Sequence, residues 1–278
     1  MKQLFDELSR EVSRKTTEKY STSFSLGILA LQASIRPAIY AIYGYVRLAD
    51  EIVDSFHGYN KERLLNNLKE ETVVAIREGI SINPILQSFQ ETVNRYHIDH
   101  ELIDQFLHSM AMDLHKMDYN SASYDEYIYG SAEVVGLMCL QVFTEGNRDK
   151  YLELKPYARK LGSAFQKVNF LRDLNDDYTV LGRTYFPDID MGVFDNCTKA
   201  RIEKEIETEF KEALIGIRRL PRTAIFGVYL AYRYYLSLFK KIRQRSSAEI
   251  LENRVRIPNT EKALVALKSY LRYKIAFL

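Results

Sequence analysis

Apolar and polar residues recur at the three-to-four-residue spacing of an α-helix along most of this 278-residue chain. Residues 4–19 read as a short, charged amphipathic helix, and residues 61–77 as a charged, periodic one expected on the outside. Between them, after Arg36-Pro37, lies a stretch apolar nearly all round, Ile39–Asp54, expected to end near Phe56. Its proline suits the first turn of a helix. Asn83-Pro84 pairs a capping residue with a proline at the first helical position and opens a helix to about Tyr96; Asp99 caps another to about Met117. Ser123-Tyr-Asp-Glu126 reads as a capping box leading into an apolar helix through Val142. A further helix is expected from about Lys155 to Tyr178, broken by Gly182. Thr198 opens a strongly charged helix whose polar face is expected to be solvated. Pro221 starts Thr223–Arg243, rich in Tyr and Leu, and the last helix begins at about Asn259-Thr260. The pattern predicts an all-α protein.

Composition narrows the picture. With 46% hydrophobic residues, 12 Gly and only 6 Pro, the chain has few breaks and ample apolar surface for a core. No Gly/Ser linker or shift of composition divides it, so residues 1–278 are expected to form a single domain. A formal net charge of +2 is too balanced to argue for nucleic acid. Cys139 and Cys197, the two cysteines, form neither a disulfide framework nor a zinc pattern, which suits a reducing cytoplasm. The histidines at 97, 100, 108 and 115 lack a HExxH arrangement and read as helical surface. No charged-then-apolar leader stands at the N-terminus and no apolar run reaches membrane-spanning length; Ile225–Phe239 comes nearest, and Arg233 interrupts it. A soluble or peripheral protein is expected, one whose apolar pocket opens toward lipid.

Two polar stripes change the reading from fold to chemistry. On a helix, Gln166, Asn169, Asp173 and Asp177 fall within an arc of about 80°, at roughly 100° per residue. Phe165, Val168 and Leu171 lie off that arc. Carboxylates at i, i+4 repel each other, so positive charge is expected beside them. A solvated helix face is the bland account of one such pair. The second stripe lies in IYAIYGYVRLADEIVD, where Tyr43, Arg47, Asp50 and Asp54 share an arc of roughly 60°. Charges on so apolar a helix call for a partner or a metal. Oxygen ligands at this spacing suit magnesium, which takes one or two carboxylates and completes its shell with water and phosphate oxygens. Arg47 and Arg172, each beside an aspartate pair, are placed to meet phosphate. The stripes predict a magnesium–diphosphate site at the mouth of an apolar, helical pocket.

These residues carry a family resemblance. QKVNFLRDLNDDY followed by GRTYFP resembles the second signature of the squalene/phytoene synthases, which join two allylic prenyl diphosphates head to head. RLADEIVD resembles the first aspartate-rich motif of that family, YIYGSAEVVGLM a block lining its cavity, YSTSFS its N-terminal opening, and RVRIPNTEKALVAL its C-terminal part. The blocks stand in family order from about residue 15 to 270. The resemblance implies a single-domain bundle of the isoprenoid-synthase type around a central apolar cavity. It implies catalytic roles for Asp50, Asp54, Asp173, Asp177, Tyr127 and Tyr235, with Tyr232 the rival of the last. Ser21, Ser23, Arg47, Gln166, Asn169, Arg172, Arg183, Arg254 and Lys262 would bind diphosphate. Asp50, Asp54, Asn169, Asp173 and Asp177 would hold two or three magnesium ions, with manganese the alternative; no nicotinamide is expected. Two departures stand out: Thr22 replaces a lysine of a thirty-carbon-forming relative, and Glu133 replaces a small residue. The implied reaction makes phytoene from geranylgeranyl diphosphate. The alternatives are dehydrosqualene or squalene from farnesyl diphosphate and, more remotely, a non-catalytic relative acting as a binding or assembly factor. Head-to-tail elongases are set aside because DEIVD and DLNDD do not match their Asp-Asp-x-x-Asp motifs.

Overall fold

The computed structural model describes residues 1–114, 120–176, 185–187 and 194–276, with the backbone alone for Asp176 and Ala276. Within them the chain forms helices α1 (Lys2–Tyr20), α2 (Thr22–Leu29), α3 (Arg36–Asp54), α4 (Lys61–Glu78), α5 (Pro84–Tyr96), α6 (His100–Met112), α7 (Ser121–Ile128), α8 (Val134–Phe143), α9 (Arg148–Asp176), α10 (Asn196–Ile217), α11 (Ile225–Arg243), α12 (Ser247–Glu252) and α13 (Asn259–Ala276). A π-helical turn, Tyr129–Glu133, joins α7 to α8. The described residues contain no strand.

Local chemistry accounts for most of the helix ends. The Ser21 side chain accepts from the Phe24 N–H and starts α2; Asn83 and Asp99 do the same for α5 and α6. Gly79 closes α4 in the left-handed region, φ +68. Four expected helix ends are corrected. The cap of α7 is Asn120, whose side chain accepts from the Ser123 N–H, so the helix opens ahead of the expected Ser123 box; asparagine caps as well as serine. Helix α9 starts at Arg148 and carries Pro156 inside it, although that proline cannot donate to the carbonyl four residues back. Helix α10 is capped by Asp195, whose carboxylate accepts from the Thr198 N–H. The end of α6 falls at Met112 rather than Met117, and His115 lies outside the described residues.

Two apolar clusters form the core. In one, Tyr45 of α3 stacks on Phe89 of α5, ring centroids 3.9 Å apart, among residues of α4, α6 and α8. The other gathers α7, α9, α10, α11 and α12 around Phe210 and Phe239. α9 packs on α8, α10 and α11, and α3 on α1, α5 and α8. The charged face of α10 is not simply solvated, as expected from the sequence. Lys167 of α9 is buried and bonds Glu205 and Glu209 of α10, the latter at 2.8 Å, while the Ser163 hydroxyl donates to Glu209 at 2.9 Å. Lys199 is buried beside Glu203. Opposite charges carry these polar groups into the interior.

Candidate active site

A cavity of ≈ 590 Å³ is lined from both clusters by α2, α3, α8, α9, α10 and α11. Its wall changes character along two helices at once. On α3 the lining residues run from Ile39, Ile42 and Val46 to Arg47, Asp50 and Asp54; on α9 they run from Leu154, Ala158 and Leu161 to Gln166, Asn169 and Asp173. At 1.5 Å per residue these stretches span about 22 Å and about 28 Å. One end of a long apolar chamber is therefore charged, and the charged ends of α3 and α9 share it.

Asp173 is gripped at that end by two guanidinium groups. Arg172 meets both its oxygens, with Nε 2.8 Å from Oδ1, and Arg254, in the segment between α12 and α13, places Nε 2.7 Å from the same oxygen. Arg47 lies over the Tyr20 ring at 4.2 Å, pairs with Glu51 and stands 3.9 Å from Asp50. Asp50 faces the cavity, and burial, aided by Asp54 and Asp113, pushes its carboxyl up to about 7 although Arg47 pulls the other way. A carboxyl so placed is short of positive charge, which is what a divalent cation supplies. Among the described residues no three His, Cys, Asp or Glu side chains converge to hold a metal by themselves. The donors present, carboxylates with an amide beside them, are of the kind that would hold magnesium if oxygens from outside the protein completed its shell.

Aromatic rings begin where the charges end. Tyr235 of α11 stacks on Phe165 of α9, centroids 3.8 Å apart and planes 13° apart, and Phe24 of α2 lies 6.0 Å from Tyr235 and 5.6 Å from Tyr43. The Tyr235 hydroxyl donates to Asn169 Oδ1 at 3.3 Å; burial raises its pKa and Arg172 lowers it. Burial likewise pushes Tyr43 up to about 12, against the pull of Arg47 and a hydrogen bond with Ser21. Tyr127 donates to Asp113 Oδ2 at 2.8 Å and stacks with Tyr185. Of the two tyrosines weighed from the sequence, Tyr235 lines the cavity, whereas Tyr232 packs edge-on against Phe210.

The structure brings Ser21, Tyr43, Arg47, Asp50, Asp54, Tyr127, Gln166, Asn169, Arg172, Asp173, Tyr235 and Arg254 to this one cavity. Ser23 is not among the lining residues, because α2 turns Ser21 and Phe24 inward. Lys262 is not among them either; its ammonium hydrogen-bonds Thr22 at the start of α2. That contact places a cation beside the position where the sequence lacks the expected lysine. Asp177 and Arg183 lie outside the described residues. Glu133 turns away from the cavity to Arg159, 2.5 Å from its Nε, while Ser131, Ala132 and Gly136 line the wall. The π-turn that contains Ser131 and Ala132 shifts the helical phase at this point. Sequence reasoning missed Asp113. Its signal was an acid directly after the apolar Met110-Ala-Met112 end of α6, where the helix dipole disfavours negative charge.

A helical chamber with one charged end defines the class: the protein has the fold of the all-α isoprenoid synthases. A ligand-bound dehydrosqualene synthase superposes with TM-score 0.83 at 20% identity, over 97% of this chain and 98% of that one. The squalene synthase HpnC from Alicyclobacillus acidocaldarius superposes with TM-score 0.74 at 21% identity, over 85% and 93%. The sequence goes further than the fold. A family model described as squalene/phytoene synthase matches residues 17–261, and the chain belongs to that family of prenyltransferases. It is 26% identical to a phytoene synthase of Arthrospira platensis over 96% of this chain and 94% of that one. Against a 15-cis-phytoene synthase of a Synechocystis species it is 26% identical over 95% and 85%.

Proposed function

We propose that this protein condenses two molecules of geranylgeranyl diphosphate head to head, through a cyclopropylcarbinyl diphosphate, to phytoene in carotenoid biosynthesis. The observation that carries the reading is the division of one cavity into a charged end and a long apolar, aromatic-walled end. The similarity to proteins named phytoene synthase over nearly their whole length supports the twenty-carbon substrate.

The residues divide the work by position. Arg47, Arg172 and Arg254 bind the diphosphate; as it enters, Arg172 and Arg254 exchange Asp173 for phosphate oxygens. Asp50, Asp54, Asp173 and Asn169, with Asp177 by resemblance, would hold magnesium. When bound, magnesium neutralises the charge that gathers on the diphosphate as the allylic carbon–oxygen bond breaks. The carbon left behind is a cation that water would trap as an alcohol. Phe24, Phe165 and Tyr235 exclude water and turn ring faces to that cation. It adds to the double bond of the second molecule, and loss of a proton closes the cyclopropane. Ionisation of the second diphosphate, rearrangement and loss of a second proton yield the central triene. Two diphosphates and two protons leave in total.

The test supplies geranylgeranyl or farnesyl diphosphate, with and without a nicotinamide cofactor, and identifies the hydrocarbon by mass spectrometry. A forty-carbon hydrocarbon with a central conjugated triene, made from geranylgeranyl diphosphate without nicotinamide, is the expected product. A thirty-carbon hydrocarbon formed in preference would overturn the substrate assignment.

A further inference from the structure

The outward face of α13 is unlike that of a solvated helix. Leu264, Leu267, Leu271 and Ile275 are 47%, 58%, 53% and 85% exposed, and at roughly 100° per residue they share an arc of about 80°. The far side of the helix is already occupied: Ser269 is buried, and Tyr273 lies against Phe226 of α11 with ring centroids 5.0 Å apart. Apolar groups thus stand on both sides of α13, and the bundle covers one of them. The exposed stripe has a basic border, with Lys268 and Arg272 on one flank and Lys274 on the other, all exposed. The acid of this helix, Glu261, is engaged by Lys241 at 2.5 Å.

Charge decides what fits such a face. An apolar band between lysines and arginine matches the boundary of an anionic bilayer, where leucines enter the acyl layer and cations meet lipid phosphates. A symmetric contact with a second copy would oppose Lys268, Arg272 and Lys274 to themselves. The helix is also held beside the cavity. Lys262 ties its first turn to Thr22 of α2, and α2 and α11 supply Gly27, Ile28, Gly227 and Val228 to the cavity wall. Those two helices cross so closely that a Cβ on Gly227 would stand 2.7 Å from the Gly27 carbonyl oxygen. On α2, Leu26 and Leu29 are exposed as well.

We propose that α13 docks this protein on an anionic membrane, its leucine stripe in the acyl boundary and its basic flanks on the headgroups. The docked orientation sets the α2–α11 wall of the cavity close to the bilayer. No helix among the described residues is long and apolar enough to cross a membrane, so the contact lies in the interface plane. The docking itself does not depend on which prenyl chain the cavity takes.

Flotation of the full chain with vesicles tests it, without substrate or magnesium. Binding is expected to vesicles of phosphatidylcholine containing a quarter phosphatidylglycerol, and far less to phosphatidylcholine alone. The K268Q/R272Q/K274Q variant should lose about fivefold in partitioning per charge removed. L267S/L271S should lose at least about tenfold, while L4S/L8S, exposed leucines of α1, should bind normally. All three should keep their turnover of detergent-dispersed substrate. Wild-type protein that fails to float, or a stripe variant that floats normally, would overturn the proposal. So would a vesicle-free dimer that L267S/L271S converts to monomer, since the stripe would then belong to a second copy. Flotation reads docking without turnover, so it is decided even if the chemistry proposed above proves wrong.

Discussion

Replacing Asp50 with asparagine should make the protein more stable and less active, with the gain in stability set by pH. The carboxyl faces the cavity with a side chain 31% exposed, and its pKa rises from 3.8 to about 7 in the folded protein, chiefly through burial. Each pH unit between the two values is worth about 1.36 kcal/mol, so the ionised group costs the fold at most about 4 kcal/mol. Solvent screening in the open cavity leaves roughly a third of that. The sign follows from proton binding: between the two values the folded state holds a proton that the unfolded state has released, so stability falls as pH rises. The loss begins near pH 4 and is complete above pH 7. Asparagine keeps the shape without the charge, and Arg47 keeps Glu51 as partner. At pH 8, with chelator present, D50N should therefore melt about 2–4 °C above wild type; near pH 4 the advantage should shrink to less than half. Turnover should fall by orders of magnitude at either pH, because a ligand for magnesium has gone. Calorimetry or circular dichroism reads the first effect and product formation the second. A D50N protein that melts lower than wild type at pH 8, or by the same margin at both pH values, would refute the reasoning.

Two further outcomes follow from other contacts. Lys167→Met leaves Glu209 buried without its cation and should cost about 3–5 kcal/mol in urea unfolding, most of it recovered in K167M/E209L; a loss under 1 kcal/mol in the single variant would show that water replaces the pair. Tyr235→Ala opens the aromatic wall beside Phe165 and should release alcohols or accumulate the cyclopropyl diphosphate, whereas Tyr235→Phe, which removes only the hydroxyl, should cost about 1–2 kcal/mol of barrier. Equal loss in both halves of the reaction, without intermediate or alcohol, would reduce Tyr235 to a packing role.

The parts of the site that were legible in the sequence are those that helical geometry orders by itself. Asp50 and Asp54, or Asn169 and Asp173, share a face because residues three or four apart must do so, and the apolar surroundings of the first pair on α3 marked the two stripes out. Arg254 and Lys262 were named by resemblance, but their partners could not be read: Asp173 and Thr22 lie far away in the chain, and such contacts leave no local periodicity. Asp113 was missed because it stands alone rather than in a stripe. The cap at Asn120 and the continuation of α9 through Pro156 were misread for a related reason. A plausible capping box lost to an equally good local cap three residues earlier, and the proline signal was overridden where α9 packs on α8 and α10. Lys199 and Glu209 looked solvated because sequence shows the charge of a residue and not the opposite charge that meets it.

Helix α9 has ionic groups facing two ways. Asp173 looks into the chamber, while Lys167, six residues earlier and about 9 Å back along the axis, is clamped by Glu205 and Glu209 of α10. The clamp works as a tailstock. A helix packed only by leucines can creep along its neighbour or roll by a few degrees at little cost, but here either movement would tear a buried ammonium from its acids. The position of Asp173 is thus referenced to α10, a helix whose own acids stand outside the chamber. Substitutions at Glu205 or Glu209 should consequently blur catalytic alignment from a distance, appearing as lost turnover in a protein whose chamber wall is unaltered.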